Sequence, residues 1–205
     1  MMISFIIGSI VSGQVMTRTG KYKLLAHISA AAIVLSTILL MTMGVNTNYP
    51  IIIIDLVVLG VGIGCLMPLL NIAVQNAFPY KLMGTVNAAQ QFVFSIGGVV
   101  ASPVFGTILN RGFQAQLNAT LNERTIELMG STSVLDPQTL LTEQAQRDIA
   151  DQFVQFGSAG EELYLELLYA VKVSLASGIN DLFTVGLIFA VLCFIGTFFL
   201  PERGL

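Results

Sequence analysis

Long apolar runs, separated by short polar or glycine-bearing stretches, organise this chain. An α-helix rises about 1.5 Å per residue, so crossing a hydrocarbon core of about 30 Å takes about 20 apolar residues. Residues 3–11, with apolar character persisting to Met16, predict one short span. Ser12 to Lys23 follows, holding Arg18, Lys21 and Lys23 with no acid, and reads as a short basic loop with Gly13 and Gly20 in it. Residues 24–44 are uncharged and predict a second span. Its Ser29, Ser36 and Thr37 hydroxyls can bond back to helix carbonyls, which makes them cheap in lipid. Asn46, Asn48 and Pro50 mark a turn. Residues 51–74 predict a third span and residues 87–109 a fourth, each with a proline inside, Pro68 and Pro103. Residues 182–200 predict the last.

The stretch 111–180 breaks this rhythm with nine acidic residues. Leu140, Leu141, Ile149, Phe153 and Phe156 fall on one helical face, as do Leu163, Leu167, Ala170, Val171 and Ser174 of a second helix over 161–177. Such patterns predict surface or interfacial helices inside a long connection. The expected fold is an all-α integral membrane protein. It has three full spans and a short first one over 1–110, a helical connection over 111–180, and a last span with its tail over 181–205.

Composition narrows the class further. Of 205 residues, 55% are hydrophobic and 10% charged, where soluble domains carry about 25% charged residues. A water-soluble globule and a disordered chain are both excluded. Nine basic against twelve acidic residues, a net charge of −3, exclude a nucleic-acid partner. Cys65 and Cys193 lie within apolar runs and read as small buried hydrophobes rather than disulfide partners or metal ligands. His27, the one histidine, has no ligand cluster around it, so no metal site is expected. The N-terminus lacks the basic region of a signal peptide.

Short loops set orientation. Placing Arg18, Lys21, Lys23, Lys81 and Arg203 in the cytoplasm satisfies the positive-inside bias. The C-terminus is then cytoplasmic, and 111–180 is extracytoplasmic in a multi-pass cell-membrane protein.

Several stretches carry a family resemblance. The basic stretch Ser12-Gly13 with Arg18-Thr19-Gly20-Lys21-Tyr22-Lys23 resembles a cytoplasmic loop of Major Facilitator Superfamily exporters of the fourteen-span, drug:proton antiporter type. Gly60-Val61-Gly62-Ile63-Gly64-Cys65-Leu66-Met67-Pro68, then Gln75-Asn76-Ala77-Phe78-Pro79, resembles their third-last span and following loop. Gly84-Thr85-Val86-Asn87-Ala88, Phe94-Ser95-Ile96-Gly97-Gly98 and Phe105-Gly106-Thr107 continue the match, and a Leu200-Pro201-Glu202 ending fits it. The resemblance implies a partial facilitator bundle corresponding to spans ten to fourteen. The N-terminal helix bundle is then missing, to be supplied in cis or by a separate chain. The partners implied are the lipid bilayer and a small-molecule substrate, and the energy source is a proton gradient rather than a bound cofactor. Where many relatives have an arginine, this chain reads Gln90-Gln91-Phe92-Val93-Phe94.

The candidate residues each have two readings. Gly13, Arg18, Gly20 and Lys21 form a cytoplasmic loop that sets topology or also gates. Asp55, a carboxylate inside a span, handles a proton or cation, or else sits in solvent reach near the helix end. Asn71, Gln75, Asn87, Gln90 and Gln91 line a wet cavity or gate, or bond helix to helix. Gly60, Gly62, Gly64 and Pro68, with Gly98, Ser102, Pro103 and Gly106, pack or bend helices. His27 reads as an interface residue. The function expected is a transporter, the C-terminal part of a proton-coupled efflux protein for small amphipathic compounds acting by alternating access. The alternative is a non-transporting membrane scaffold or half-transporter partner subunit. No nucleophile–base pair or phosphate loop points to an enzyme.

Overall fold

A computed structural model describes residues 1–19, 22–45, 47–121 and 158–200. Their regular structure is entirely helical, with no strand among the described residues. Five helices follow in order: α1 (Met2–Thr19), α2 (Lys23–Met41), α3 (Tyr49–Ala77), α4 (Met83–Thr120) and α5 (Ser158–Phe198). A 3-10 turn, Tyr80–Leu82, joins α3 to α4. Four of these helices are long and apolar enough to cross a membrane; α1 is the shorter apolar one.

The helices fall into two compact units, Met1–Ala101 with Phe183–Leu205, and Ser102–Leu182. The boundaries lie within α4 and α5, not in loops. In the first unit α3 is the centre, packed against α1 on one side and α2 on the other. Small residues allow this. Ser4, Gly8, Ser12 and Met16 recur every four positions on α1 and are its buried face. Ala26, Ser29, Ala30, Ser36, Thr37 and Leu40 are the buried face of α2. Where apolar lipid removes the hydrophobic drive, close backbone approach and interhelical bonds hold such helices together. Met16, Tyr22, Ala26, Leu66, Leu69 and Ala73 close one end of the bundle.

The second unit pairs the end of α4 with the start of α5. Its core is Phe113, Leu117 and Leu121 against Leu167, Ala170 and Val171. Close contact is set by two glycines. A Cβ on Gly178 would lie 2.7 Å from the Leu109 carbonyl oxygen, and one on Gly112 would collide with the Asp181 carboxylate.

Three boundaries differ from the sequence expectation. Residues 12–19, including Gly13 and Arg18, are not loop but the last turns of α1. Their polar side chains suit a helix because Ser12 Oγ donates to the Ser9 carbonyl (3.0 Å) and Thr17 Oγ1 to that of Gln14 (2.9 Å). The fourth helix does not stop at Leu109 but continues past Arg111 to Thr120. Residues 161–177 and the last span form one helix, α5. Over 38 and 41 residues, α4 and α5 are about 57 and 62 Å long, roughly twice a hydrocarbon core. A charge marks where lipid contact ends, not where the helix must. Gly20, Lys21, Asn46, Arg203 and the expected 140–156 surface helix lie outside the described residues.

Candidate functional site

Asp55 sits two turns into α3 and points at α2. It is 3% exposed, so the expectation of solvent reach is overturned. Ser36 Oγ donates to Asp55 Oδ1 at 2.6 Å and approaches the Asp55 backbone carbonyl at 3.0 Å. Asp55 Oδ2 is buried and has no partner among the described residues. Ser29 and Thr37 do bond back to their own helix, to the carbonyls of Leu25 and Ile33, both at 2.8 Å. Ser36 instead reaches across, because it lies on the α2 face turned to α3. The sequence shows Asp55 as a span carboxylate but gives no sign of its partner.

The glycines of α3 hold this seam. A Cβ on Gly62 would lie 2.9 Å from Ile33 Cγ1 and 3.2 Å from the Ser29 carbonyl oxygen of α2. On the opposite face, a Cβ at Gly64 would collide with the Phe5 backbone, and one at Gly60 with Ser4. Gly8 of α1 returns the contact, with space for a Cβ limited to 2.7 Å from the Val61 carbonyl oxygen. Cys65 Sγ donates to the Gly8 carbonyl at 3.2 Å. Pro68 lies one turn further on and cannot donate to the Gly64 carbonyl, which loosens the helix there. Cys193, by contrast, is exposed and not the buried hydrophobe expected.

A second polar cluster joins α3 to α4. Gln90 Nε2 donates to Asn71 Oδ1, and Gln75 Nε2 to Asn87 Oδ1 at 3.4 Å. These four amides, with Gln91, Met67, Leu70 and Phe94, line a cavity of about 460 Å³. A neighbouring space of about 540 Å³ is lined by Val74, Phe78, Thr85, Val86, Ala89 and Val93, and shares Gln90 and Phe94 with the first. Asn76, next along α3, lines neither space; its Nδ2 is buried without a partner among the described residues.

Other candidate residues stand apart from both clusters. Arg18 is exposed in the last turn of α1. Gly98, Ser102, Pro103 and Gly106 are exposed on α4, and a Cβ on Gly98 or Gly106 would touch nothing. His27 is half-buried in the first turns of α2. Its Nδ1 hydrogen-bonds the Lys23 carbonyl at 2.6 Å, and its ring meets Phe198 edge-on at 4.5 Å. Phe194 and Phe198 stack edge-on at 5.3 Å, so α5 docks on α2 through an aromatic trio. No group of three metal-ligating side chains occurs among the described residues.

Residues 1–102 match the Major Facilitator Superfamily. The chain is 27% identical to the multidrug transporter protein MdtP of Bacillus subtilis over 98% of its own length and 38% of that protein's. It is 25% identical to multidrug resistance protein 3 of the same organism, over 86% of the chain and 35% of the relative. A tetracycline resistance determinant of Streptomyces rimosus is 30% identical over 53% of the chain and 34% of that protein. The chain thus spans about a third of the length of these three relatives. No solved structure matches it.

Proposed function

We propose, for this Major Facilitator Superfamily, multidrug-transporter-like fold, that the chain supplies part of a proton-coupled carrier exporting small amphipathic compounds by alternating access. Proteins of this superfamily are non-catalytic carriers, so no bond-making chemistry is asked of the site. The observation that carries the reading is Asp55, a membrane carboxyl closed between α2 and α3 with one oxygen on Ser36 and the other unpartnered. An ionisable group so placed can exchange a proton only when the two helices part, which ties protonation to a change of helix packing. The Asn71, Gln75, Asn87, Gln90 and Gln91 amides face the substrate, and Arg18 with Gly20 and Lys21 gates the cytoplasmic face. The exposed Gly98–Gly106 stripe of α4 receives helices of an N-terminal bundle, in cis or from a separate chain. In this arrangement the C-terminus is cytoplasmic and 111–180 extracytoplasmic, as in the C-terminal part of a fourteen-span antiporter.

Inverted vesicles of native membranes test this directly. With an imposed pH gradient they should accumulate radiolabelled chloramphenicol, an uncharged amphipathic compound, and Asp55→Asn should abolish the accumulation at unchanged protein level. Undiminished uptake by that variant removes Asp55 from coupling. Absence of any gradient-driven uptake by the unaltered protein overturns the transport reading.

One observation favours the second reading, a non-transporting scaffold or half-transporter partner. The most apolar stretch of α4 buries none of its residues within the chain. A stable complex with another membrane protein, in vesicles that move no substrate, would select it.

A further inference from the structure

The two spaces flanking Gln90 and Phe94 differ in chemistry but share a wall, and together they describe one ligand. On the first side, each cross-helix amide pair leaves half of each amide unused. Asn71 and Asn87 accept through Oδ1, which leaves their NH₂ groups; Gln75 and Gln90 donate, which leaves their carbonyls. That wall offers donors and acceptors together, and the whole of Gln91 besides. On the second side the lining is aliphatic and aromatic apart from Thr85 and the shared Gln90. Neither lining contains a charged residue.

Residues i and i+4 lie on one face of a helix, so Gln90 and Phe94 form a ridge on α4. Asn87 and Gln91 lie to one side of it and Val86, Ala89 and Val93 to the other. Each space falls within the 300–1,000 Å³ range (about) of small-molecule sites. A cation in the amide space would find no carboxylate to neutralise it.

We propose that this α3–α4 cleft binds an uncharged amphipathic molecule. Its donor- and acceptor-bearing end lies on the Asn71–Gln90 and Gln75–Asn87 amides, and its apolar ring or chain crosses the Gln90–Phe94 ridge into the Val86–Val93 groove. This names the substrate class of the amide cluster and rests on the transport reading for its purpose, though not for its existence.

The test is photolabelling of the purified full chain in lipid nanodiscs. The probe is 4-(hydroxymethyl)benzophenone, uncharged with one donor and a carbonyl acceptor; the control is the cationic (4-benzoylbenzyl)trimethylammonium. Adducts are mapped by peptide mass spectrometry. The neutral probe should label Met67 and Phe94 saturably, and the cation should not. Gln91→Leu, which breaks no cross-helix amide pair, should weaken half-saturation about tenfold, the worth of about one hydrogen bond. Ala89→Phe should fill the apolar side and block labelling with the amides intact. Unsaturable labelling spread along lipid-facing helices, equal labelling by the cation, or indifference to both variants overturns the proposal. Saturable labelling in a protein whose vesicles move no substrate keeps the site and removes the transport reading. Gradient-driven transport without the labelling does the reverse.

Discussion

Ser36 donates to Asp55 at 2.6 Å across the α2–α3 seam and is the one side chain bonded to that carboxyl among the described residues. A buried polar group whose partner is removed costs about 1–3 kcal/mol, whereas a pair changed together costs less. Ser36→Ala should therefore destabilise the helix bundle by about that amount. Asp55→Asn keeps an acceptor for Ser36 and should cost less than Ser36→Ala. Asp55→Ala removes the acceptor, and the cycle of Ser36→Ala with Asp55→Ala should show a coupling energy of about 0.5–3 kcal/mol, the range for residues sharing a bond. Unfolding equilibria in mixed detergent measure these variants, and additivity of the two alanine changes would mean the bond contributes nothing.

Glycines on the same chain should divide sharply by position. Gly64 abuts the Phe5 backbone, which cannot rotate aside as a side chain can, and Gly8 similarly faces the Val61 backbone. Gly64→Ala should push α1 off α3 at a cost of about 1–3 kcal/mol, typical of overpacking. Gly98→Ala meets nothing within 4 Å and should change stability by less than about 0.5 kcal/mol. Equal effects at both positions, read from the same unfolding assay, would falsify the α1–α3 packing described above.

The spans were legible because an uninterrupted run of about 20 apolar residues has few other fates. What escaped the sequence was register between helices. The Ser4–Gly8–Ser12 face is plain once Gly60 and Gly64 lie against it, but its end falls in a polar stretch that looks like loop. Ser36 gives no local sign that it serves Asp55, nineteen positions away, rather than its own helix. His27 likewise finds its aromatic partners at Phe194 and Phe198, at the far end of the chain. The sequence places span ends at 109 and 182, where lipid-compatible sequence stops; the helices instead run on and pair through Phe113 and Leu167. The amide cluster was legible as residues but not as pairs, since the pairing depends on where α4 lies against α3.

The pairing of α4 with α5 in the Ser102–Leu182 unit should fail on its own. Phe113 is 0% exposed at the centre of that core. Phe113→Ala should cost about 3–5 kcal/mol locally, the range for removing a buried aromatic. Amide hydrogen exchange should then rise at 109–121 and 163–178 while α1, α2 and α3 keep their protection. Uniform loss of protection across all five helices would show that the two units do not unfold separately.

Orientation follows from charge and can be read from two positions. Asn48 immediately precedes α3 and Lys81 lies in the turn after it, so a spanning α3 puts them on opposite sides. The helix has 29 residues, about 43 Å, ample for one crossing. Lys81 lies in a very short connection, where a basic residue counts most toward the cytoplasmic side. In a background of Cys65→Ser and Cys193→Ala, Lys81→Cys should react with a membrane-impermeant maleimide only in inverted vesicles. Asn48→Cys should react only in intact cells. Serine at 65 can still donate to the Gly8 carbonyl, so the background should retain the α1–α3 contact. Reaction of both positions from one side would mean that α3 does not cross. An exchange of sides would invert the bundle, move the Arg18 end of α1 outside, and remove it from any cytoplasmic gate.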